Sequence, residues 1–178
     1  MGKNTQSQKA RSGDVLKSSV TREFSSGGVV FKKENGQLMW LIRKTASSEL
    51  YPKQHWMLPK GRIDDSPGDA PGPMAGGLIK ADAVSLENSA LREVKEEGGV
   101  EAKIIKKIGT SMYSFIDPKL GKILKFVTFY LMEYVRDLPE GYSWETEEVS
   151  WLPFSEAKKR LSFSGEKQML VKAQELLV

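Results

Sequence analysis

At 178 residues, with 39% hydrophobic and 28% charged residues, the chain has the composition of one soluble globular domain large enough to bury a sizeable core. The absence of cysteine excludes disulfides, thiolate metal sites and a thiol nucleophile, and a single histidine, His55, excludes most histidine-based metal sites. A formal charge of +4 and a pI near 9.1 suit an anionic small molecule, but the excess is modest and partly N-terminal, which argues against a nucleic-acid partner. No apolar run approaches a membrane span and none forms a signal-peptide core, so the cytoplasm is the expected location.

In chain order, residues 1–21 are polar and basic, with Lys3, Lys9, Arg11 and Lys17 against Asp14, and are expected to be a disordered tail. From Glu23 the pattern becomes strand-like through Val29, Val30 and Phe31. Asn35-Gly36 between two apolar runs then predicts a hairpin into a second strand over Gln37 to Arg43. His55-Trp56-Met57-Leu58-Pro59-Lys60-Gly61 combines a tryptophan, a fixed-φ proline and a glycine, the make-up of a short strand that delivers backbone to a tight place. The following stretch, about 62–84, is rich in Gly, Pro and Ala and predicts a flexible inserted loop.

Ser85-Leu86-Glu87-Asn88 offers a helix cap and Gly98-Gly99 a helix stop, so a helix is predicted from about Leu86 to Glu97. Leu86, Ala90, Leu91 and Val94 form its apolar stripe. Glu93, Glu96 and Glu97 fall at i, i+3 and i+4 on another side. Three like charges in one patch raise one another's pKa unless a cation sits among them, and a hard divalent ion with oxygen ligands meets that need. Arg92, four residues before Glu96, can orient one of these acids.

Beyond the helix, Ala102 to Ile108 and Gly109 to Ile116 read as strand before a turn at Asp117-Pro118, and Lys122 to Val135 is the longest strand candidate. Period-two alternation puts Lys125, Val127, Phe129 and Leu131 on one face, which pairs a cation for phosphate with a flat ring for a base. Tyr113 is a second stacking candidate, although a core aromatic is the commoner role for such a residue in a mixed sheet. Ser155 and Ser164 are placed to cap helices over Glu156 to Leu161 and Gly165 to Leu177, the latter with Met169, Leu170, Ala173 and Leu177 as its packing stripe.

Arg92-Glu93-Val94-Lys95-Glu96-Glu97-Gly98-Gly99-Val100 matches every fixed position of R-E-U-x-E-E-x-G-U, with U apolar, and so resembles the second half of the Nudix box. The box glycine corresponds to Gly61, separated from Arg92 by an insertion, and Val84 stands where the first glutamate of the box belongs. Trp56-Met57-Leu58-Pro59-Lys60-Gly61 is similar to the branch that includes asymmetric diadenosine tetraphosphate hydrolases and MutT-type enzymes. The segment around Lys125, Val127 and Phe129 also looks like that branch, with Phe129 where tyrosine is frequent.

The resemblance implies an α/β/α sandwich with a mixed central sheet over residues 22–178. It implies Mg²⁺ or Mn²⁺ held by Glu93, Glu96, Glu97 and the Gly61 carbonyl. Glu93 and Arg92 would take catalytic roles, and a loop glutamate before Trp151 would complete the set: Glu145, or else Glu147 or Glu148. Arg43, Lys44, Lys60 and Lys125 would contact phosphate, with strand-end or surface charge as the ordinary alternative, and Tyr113 or Phe129 would stack a base. The activity implied is hydrolysis of a nucleoside polyphosphate, diadenosine tetraphosphate to ATP and AMP first. Alternatives are ADP-ribose, oxidised nucleotides or RNA 5′ ends, or a non-catalytic nucleotide-binding module. The residues do not fix the oligomeric state.

Overall fold

The computed structural model describes residues 20–64 and 70–178. The expected basic tail therefore lies, but for its last two residues, outside the described part, as do residues 65–69 of the expected loop.

A hairpin opens the fold. β1 (Thr21–Glu34) and β2 (Gln37–Thr45) pair antiparallel, and Asn35 and Gly36 turn the chain with φ of 51° and 78°, left-handed values that suit these two residue types. Two short strands follow, β3 (Trp56–Met57) on β2 and β4 (Lys60–Arg62) on β1. After helix α1 (Ala83–Gly98), the long strands β5 (Val100–Asp117) and β6 (Gly121–Asp137) form a second hairpin, and β6 lies parallel to β1. β7 (Thr146–Pro153) returns to pair with β2. The resulting order, β3-β2-β1-β6-β5, with one parallel and several antiparallel contacts, is the expected mixed sheet.

Period-two alternation sends the side chains of each central strand to two separate cores. Val30, Leu41, Tyr130 and Met132 pack with Ala90 and Val94 of α1 on one face. Val29, Trp40, Ile42, Val127, Phe129 and Leu131 pack on the other face with Ala157 and Leu161 from the α2 region and with Met169, Leu170 and Ala173 of α3. Here α2 is Phe154–Arg160 and α3 is Ser164–Glu175. One helix on one face and two on the other make the α/β/α sandwich. No helix among the described residues is long and apolar enough to cross a membrane.

The boundaries differ from expectation where a local signal competes with a better one nearby. Asp82, not Ser85, caps α1: its carboxylate accepts the Ser85 N–H at 2.7 Å, so the helix begins a turn earlier. Gly99 ends it with φ 68°. Neither Ser155 nor Ser164 caps a helix. Both lie inside the helices they were expected to open, behind Pro153 and Phe163, which make no side-chain cap.

The stretch after β4 is anchored where it is described. Both carboxylate oxygens of Asp64 accept backbone N–H groups, of Met74 at 2.8 Å and Ala75 at 2.9 Å. The Ala75 carbonyl accepts the Phe24 N–H at 2.7 Å, and Ala75 is fully buried. A loop that fills its own backbone bonds against β1 in this way is a packed element rather than a slack connector.

Candidate active site

The site is built on β4 and α1. In β4 successive residues face opposite sides of the sheet, and Gly61 faces α1. Its missing side chain is replaced by the Glu93 carboxyl group, which a Cβ at position 61 would overlap. Glu93, Glu96 and Glu97 do share one side of α1, but their environments differ. Glu93 and Glu97 are buried, whereas the Glu96 side chain is 47% exposed.

Arg92 holds two of these acids, with Nη1 2.9 Å from Glu93 Oε1 and 3.3 Å from Glu96 Oε2. Its Nη2 donates to the Arg62 carbonyl at 2.7 Å, and Ser89 Oγ donates to the same carbonyl at 3.1 Å. The guanidinium thus ties the helix to the end of β4.

Glu97 is satisfied from within the protein. Arg43, buried on β2, forms an ion pair with its Oε1, and the Lys60 N–H donates to its Oε2 at 2.8 Å. In the ligand-free protein Arg43 neutralises Glu97.

The acids carry more negative charge than their partners cancel. Burial lifts the Glu93 carboxyl to a pKa of about 8, with the charges of Glu97, Glu96 and Glu145 adding to the rise and Arg92 opposing it. Burial likewise lifts Glu97, against Arg43 and Lys60. Among the described residues no three acidic or histidine side chains converge into a ready cation cage. The donor chemistry nonetheless fits a hard divalent ion: carboxylates and a backbone carbonyl with no soft ligand, including one carboxyl that burial and neighbouring acids hold back from ionising in the absence of a cation.

The loop before β7 is pinned to the C-terminal end of α1. The Ser143 N–H donates to the Glu96 carbonyl at 2.6 Å and Thr146 Oγ1 to the Glu97 carbonyl at 2.9 Å. The Glu145 carbonyl accepts from Arg43 Nη1 at 3.1 Å, and its charge raises both Glu93 and Glu97. The other loop acids are committed elsewhere, Glu147 to Lys44 and Gln54 and Glu148 to Ser150. Lys44, 2.8 Å from Glu147, is therefore a partner of that loop.

On the other face of β4 lie Lys60 and Arg62. Lys60 is buried, with Nζ 3.1 Å from Glu166 Oε1 on α3, and the Leu58 N–H donates to Glu166 Oε2 at 2.8 Å. Burial alone would lower the Lys60 ammonium, but Glu166, Tyr113 and Glu97 carry it above its usual value. Lys60 thus joins the two sides of the site, with its backbone on Glu97 and its ammonium on Glu166. Lys125, opposite Glu23 in the β1–β6 register, lies 2.6 Å from that carboxylate, which Arg62 also approaches at 3.2 Å. Both lysines are thus ion-paired to buried carboxylates in the ligand-free protein.

Tyr113 lies on this face, half-buried, with its ring 10° from parallel to that of Phe163 at a centroid distance of 6.4 Å, and His55 tilts onto Phe163 at 4.9 Å. Beside them a cavity of about 300 Å³ is lined by Thr110, Ser111, Tyr113, Phe163, Glu166 and Lys172, among others. Phe129 is elsewhere. It is fully buried in the core under α2 and α3, so it has no face to offer a base, which corrects its expected role.

The sequence reading missed Glu166, Phe163 and Glu23. Glu166 had a signal, because it falls on the same stripe as Met169, Leu170 and Ala173 and a charge on a packing stripe demands a buried partner. For Glu23 and Phe163 the partner lies on a distant strand or helix, and only the pairing identifies it.

A mixed sheet between one acidic helix and two others, with a glycine of a short strand set against that helix, is the architecture of the Nudix fold. The NUDIX domain model matches residues 24–172, and the chain belongs to this family. It is 27% identical over 179 residues to a protein of Mycobacterium tuberculosis (strain CDC 1551 / Oshkosh) that carries the name mutator protein MutT4; the match covers 98% of this chain and 63% of the relative. The chain thus spans less than two thirds of that relative's length. Among solved structures, a C. elegans Ap4A hydrolase binary complex superimposes with a TM-score of 0.56 at 19% identity, over 87% of this chain and 97% of that one. The NUDIX domain of Shewanella oneidensis NrtR, complexed with ADP ribose, gives 0.59 at 20% identity, over 92% and 93%. At these identities the two structures attest the fold.

Proposed function

We propose that this chain is a divalent-metal-dependent pyrophosphohydrolase of nucleoside polyphosphates, acting on diadenosine tetraphosphate to yield ATP and AMP. The observation that carries this reading is the division of labour across β4. On one side Gly61, Glu93, Glu96 and Glu97 gather oxygen donors, and on the other the Tyr113 and Phe163 rings line a cavity together with Glu166, the ion-pair partner of the buried Lys60. A polyphosphate reacts at the first place, and its nucleoside is held at the second.

Glu93, Glu96, Glu97 and the Gly61 carbonyl would hold Mg²⁺ or Mn²⁺. Bound there, the ion supplies neutralisation of phosphate oxygens and acidification of a coordinated water. The protein's own groups do the rest. Arg92 fixes Glu93 and Glu96 against the end of β4. Glu145, whose carboxylate has no partner among the described residues, takes the proton of the attacking water as general base. Water oxygen bonds to phosphorus, the anhydride P–O bond breaks, and the departing phosphate keeps the electron pair.

A second reading, a nucleotide-binding module without turnover, is favoured by one feature: both Glu97 oxygens are already engaged, by Arg43 and by Lys60. The experiment that separates the two is Mg²⁺-dependent product release from diadenosine tetraphosphate, ADP-ribose and oxidised nucleoside triphosphates, with Glu96→Gln as blank. ATP and AMP released from diadenosine tetraphosphate, and lost in the variant, support the hydrolase. Nucleotide and metal binding without turnover supports the module, and preference for another substrate overturns the choice of diadenosine tetraphosphate.

A further inference from the structure

Of the four tryptophans, three have conventional partners. Trp40 is fully buried, Trp56 lies under Arg160 with its guanidinium carbon 5.1 Å from the ring centroid, and Trp151 lies under Lys32 at 4.7 Å and meets the Tyr134 ring edge-on. Trp144 differs. It is 82% exposed and has no ring or cation–π partner among the described residues. An indole left in water on a floppy tip would be unremarkable, but this one is displayed on a fixed support. Ser143 before it donates to the Glu96 carbonyl, Glu145 after it accepts from Arg43 and Ala46, and Thr146 holds the Glu97 carbonyl.

We propose that Trp144 is a stacking platform for the second base of a dinucleoside polyphosphate. This rests on the hydrolase reading above and specifies its substrate class. A dinucleoside polyphosphate has a base at each end of its phosphate chain. Tyr113 and Phe163 offer rings on one side of the carboxylates, across β4, and can serve only one of the two. On this reading the other base leaves on the side of the loop at the C-terminal end of α1. That loop carries two exposed aromatics: Tyr142 is 43% exposed and its hydroxyl donates to the Glu147 carbonyl at 3.3 Å, whereas Trp144, one residue from Glu145, is 82% exposed and offers its ring unengaged among the described residues. Stacking on a pre-positioned indole needs no hydrogen-bond match and is tolerant of base identity, so the platform selects for the presence of a second base rather than for adenine.

The test compares diadenosine tetraphosphate, with two bases, against adenosine 5′-tetraphosphate, with one. In Trp144→Ala the ratio of the KM for diadenosine tetraphosphate to that for adenosine 5′-tetraphosphate should rise about tenfold, and Trp144→Phe should restore most of it. A parallel titration with a methylene-bridged, non-cleavable diadenosine tetraphosphate should quench tryptophan emission in the wild type and not in Trp144→Phe. An unchanged KM ratio with normal cleavage overturns the platform and leaves the hydrolase reading standing. Absence of cleavage by the wild type overturns the hydrolase reading, and the platform then stands or falls on whether the quench is seen and is lost in Trp144→Phe.

Discussion

The carboxyl group of Glu93 fills the space that a side chain on residue 61 would need, since a Cβ built on Gly61 would overlap it. Gly61→Ala should therefore act through Glu93. Overpacking at this contact should cost about 2 kcal/mol and several degrees in Tm, and turnover should fall by at least a hundredfold as Glu93 is displaced. The double variant Gly61→Ala/Glu93→Ala removes the obstacle. If its stability loss equals the sum of the single losses, the two positions are not coupled and the explanation fails.

A second expectation concerns pH. The Glu93 carboxyl is raised from 4.5 to about 8, so the folded protein keeps a proton that the unfolded chain has already lost. That contribution is fully present below 4.5 and is lost as pH rises towards 8. Glu97 shifts in the same direction. His55 has its pKa lowered from 6.5 and opposes the trend only below that value. Between pH 7 and 8 the metal-free protein should thus lose thermal stability, levelling above 8. Saturating Mg²⁺, which binds the ionised carboxylates, should flatten or reverse the decline. Melting curves at pH 7 and 8.5 with Mg²⁺ or EDTA decide it, and a metal effect independent of pH would count against Glu93 as the responsive group.

Lys60 and Glu166, like Arg43 and Glu97, form a buried charge pair. Removing one partner strands the other away from water, so Glu166→Ala should destabilise by about 3–5 kcal/mol, with the Leu58 N–H also losing its acceptor. Replacing both, as Lys60→Met/Glu166→Gln, should cost clearly less than Glu166→Ala. Chemical denaturation measures both, and equal losses would show that the ion pair is not what the position needs.

How much of this was legible can be argued from single residues. Glu93, Glu96 and Glu97 share a helix side because 3.6 residues make a turn, and Gly61 was marked by the wording of its strand; neither inference needed tertiary knowledge. Phe129 shows the limit. Alternation correctly grouped it with Val127 and Leu131, but a period of two states only that residues share a face. Whether that face is open or covered depends on α2 and α3, which the chain reaches only after the next strand and its loop. The pairing of the lysines was hidden for a related reason. A cation in a strand looks free until the register places Glu23 opposite Lys125, or a distant helix brings Glu166 to Lys60. Asp82 displaced Ser85 as cap because both residue types serve, and the sequence alone does not choose between adjacent starts.

The exchange of roles between Phe129 and Tyr113 gives the last expectation. Phe129 is fully buried among apolar side chains, whereas Tyr113 is half-buried at a cavity and faces Phe163. Phe129→Ala should act as a cavity-forming core change, costing about 3–5 kcal/mol and leaving KM near its original value in whatever fraction stays folded. Tyr113→Ala should cost far less stability and should raise KM for an adenine nucleotide by about tenfold, because a base loses one of its stacking faces. Urea midpoints and steady-state kinetics on both variants separate these outcomes. If Tyr113→Ala changes stability but not KM, Tyr113 is only a lid on the core, and the nucleoside must be sought on another surface.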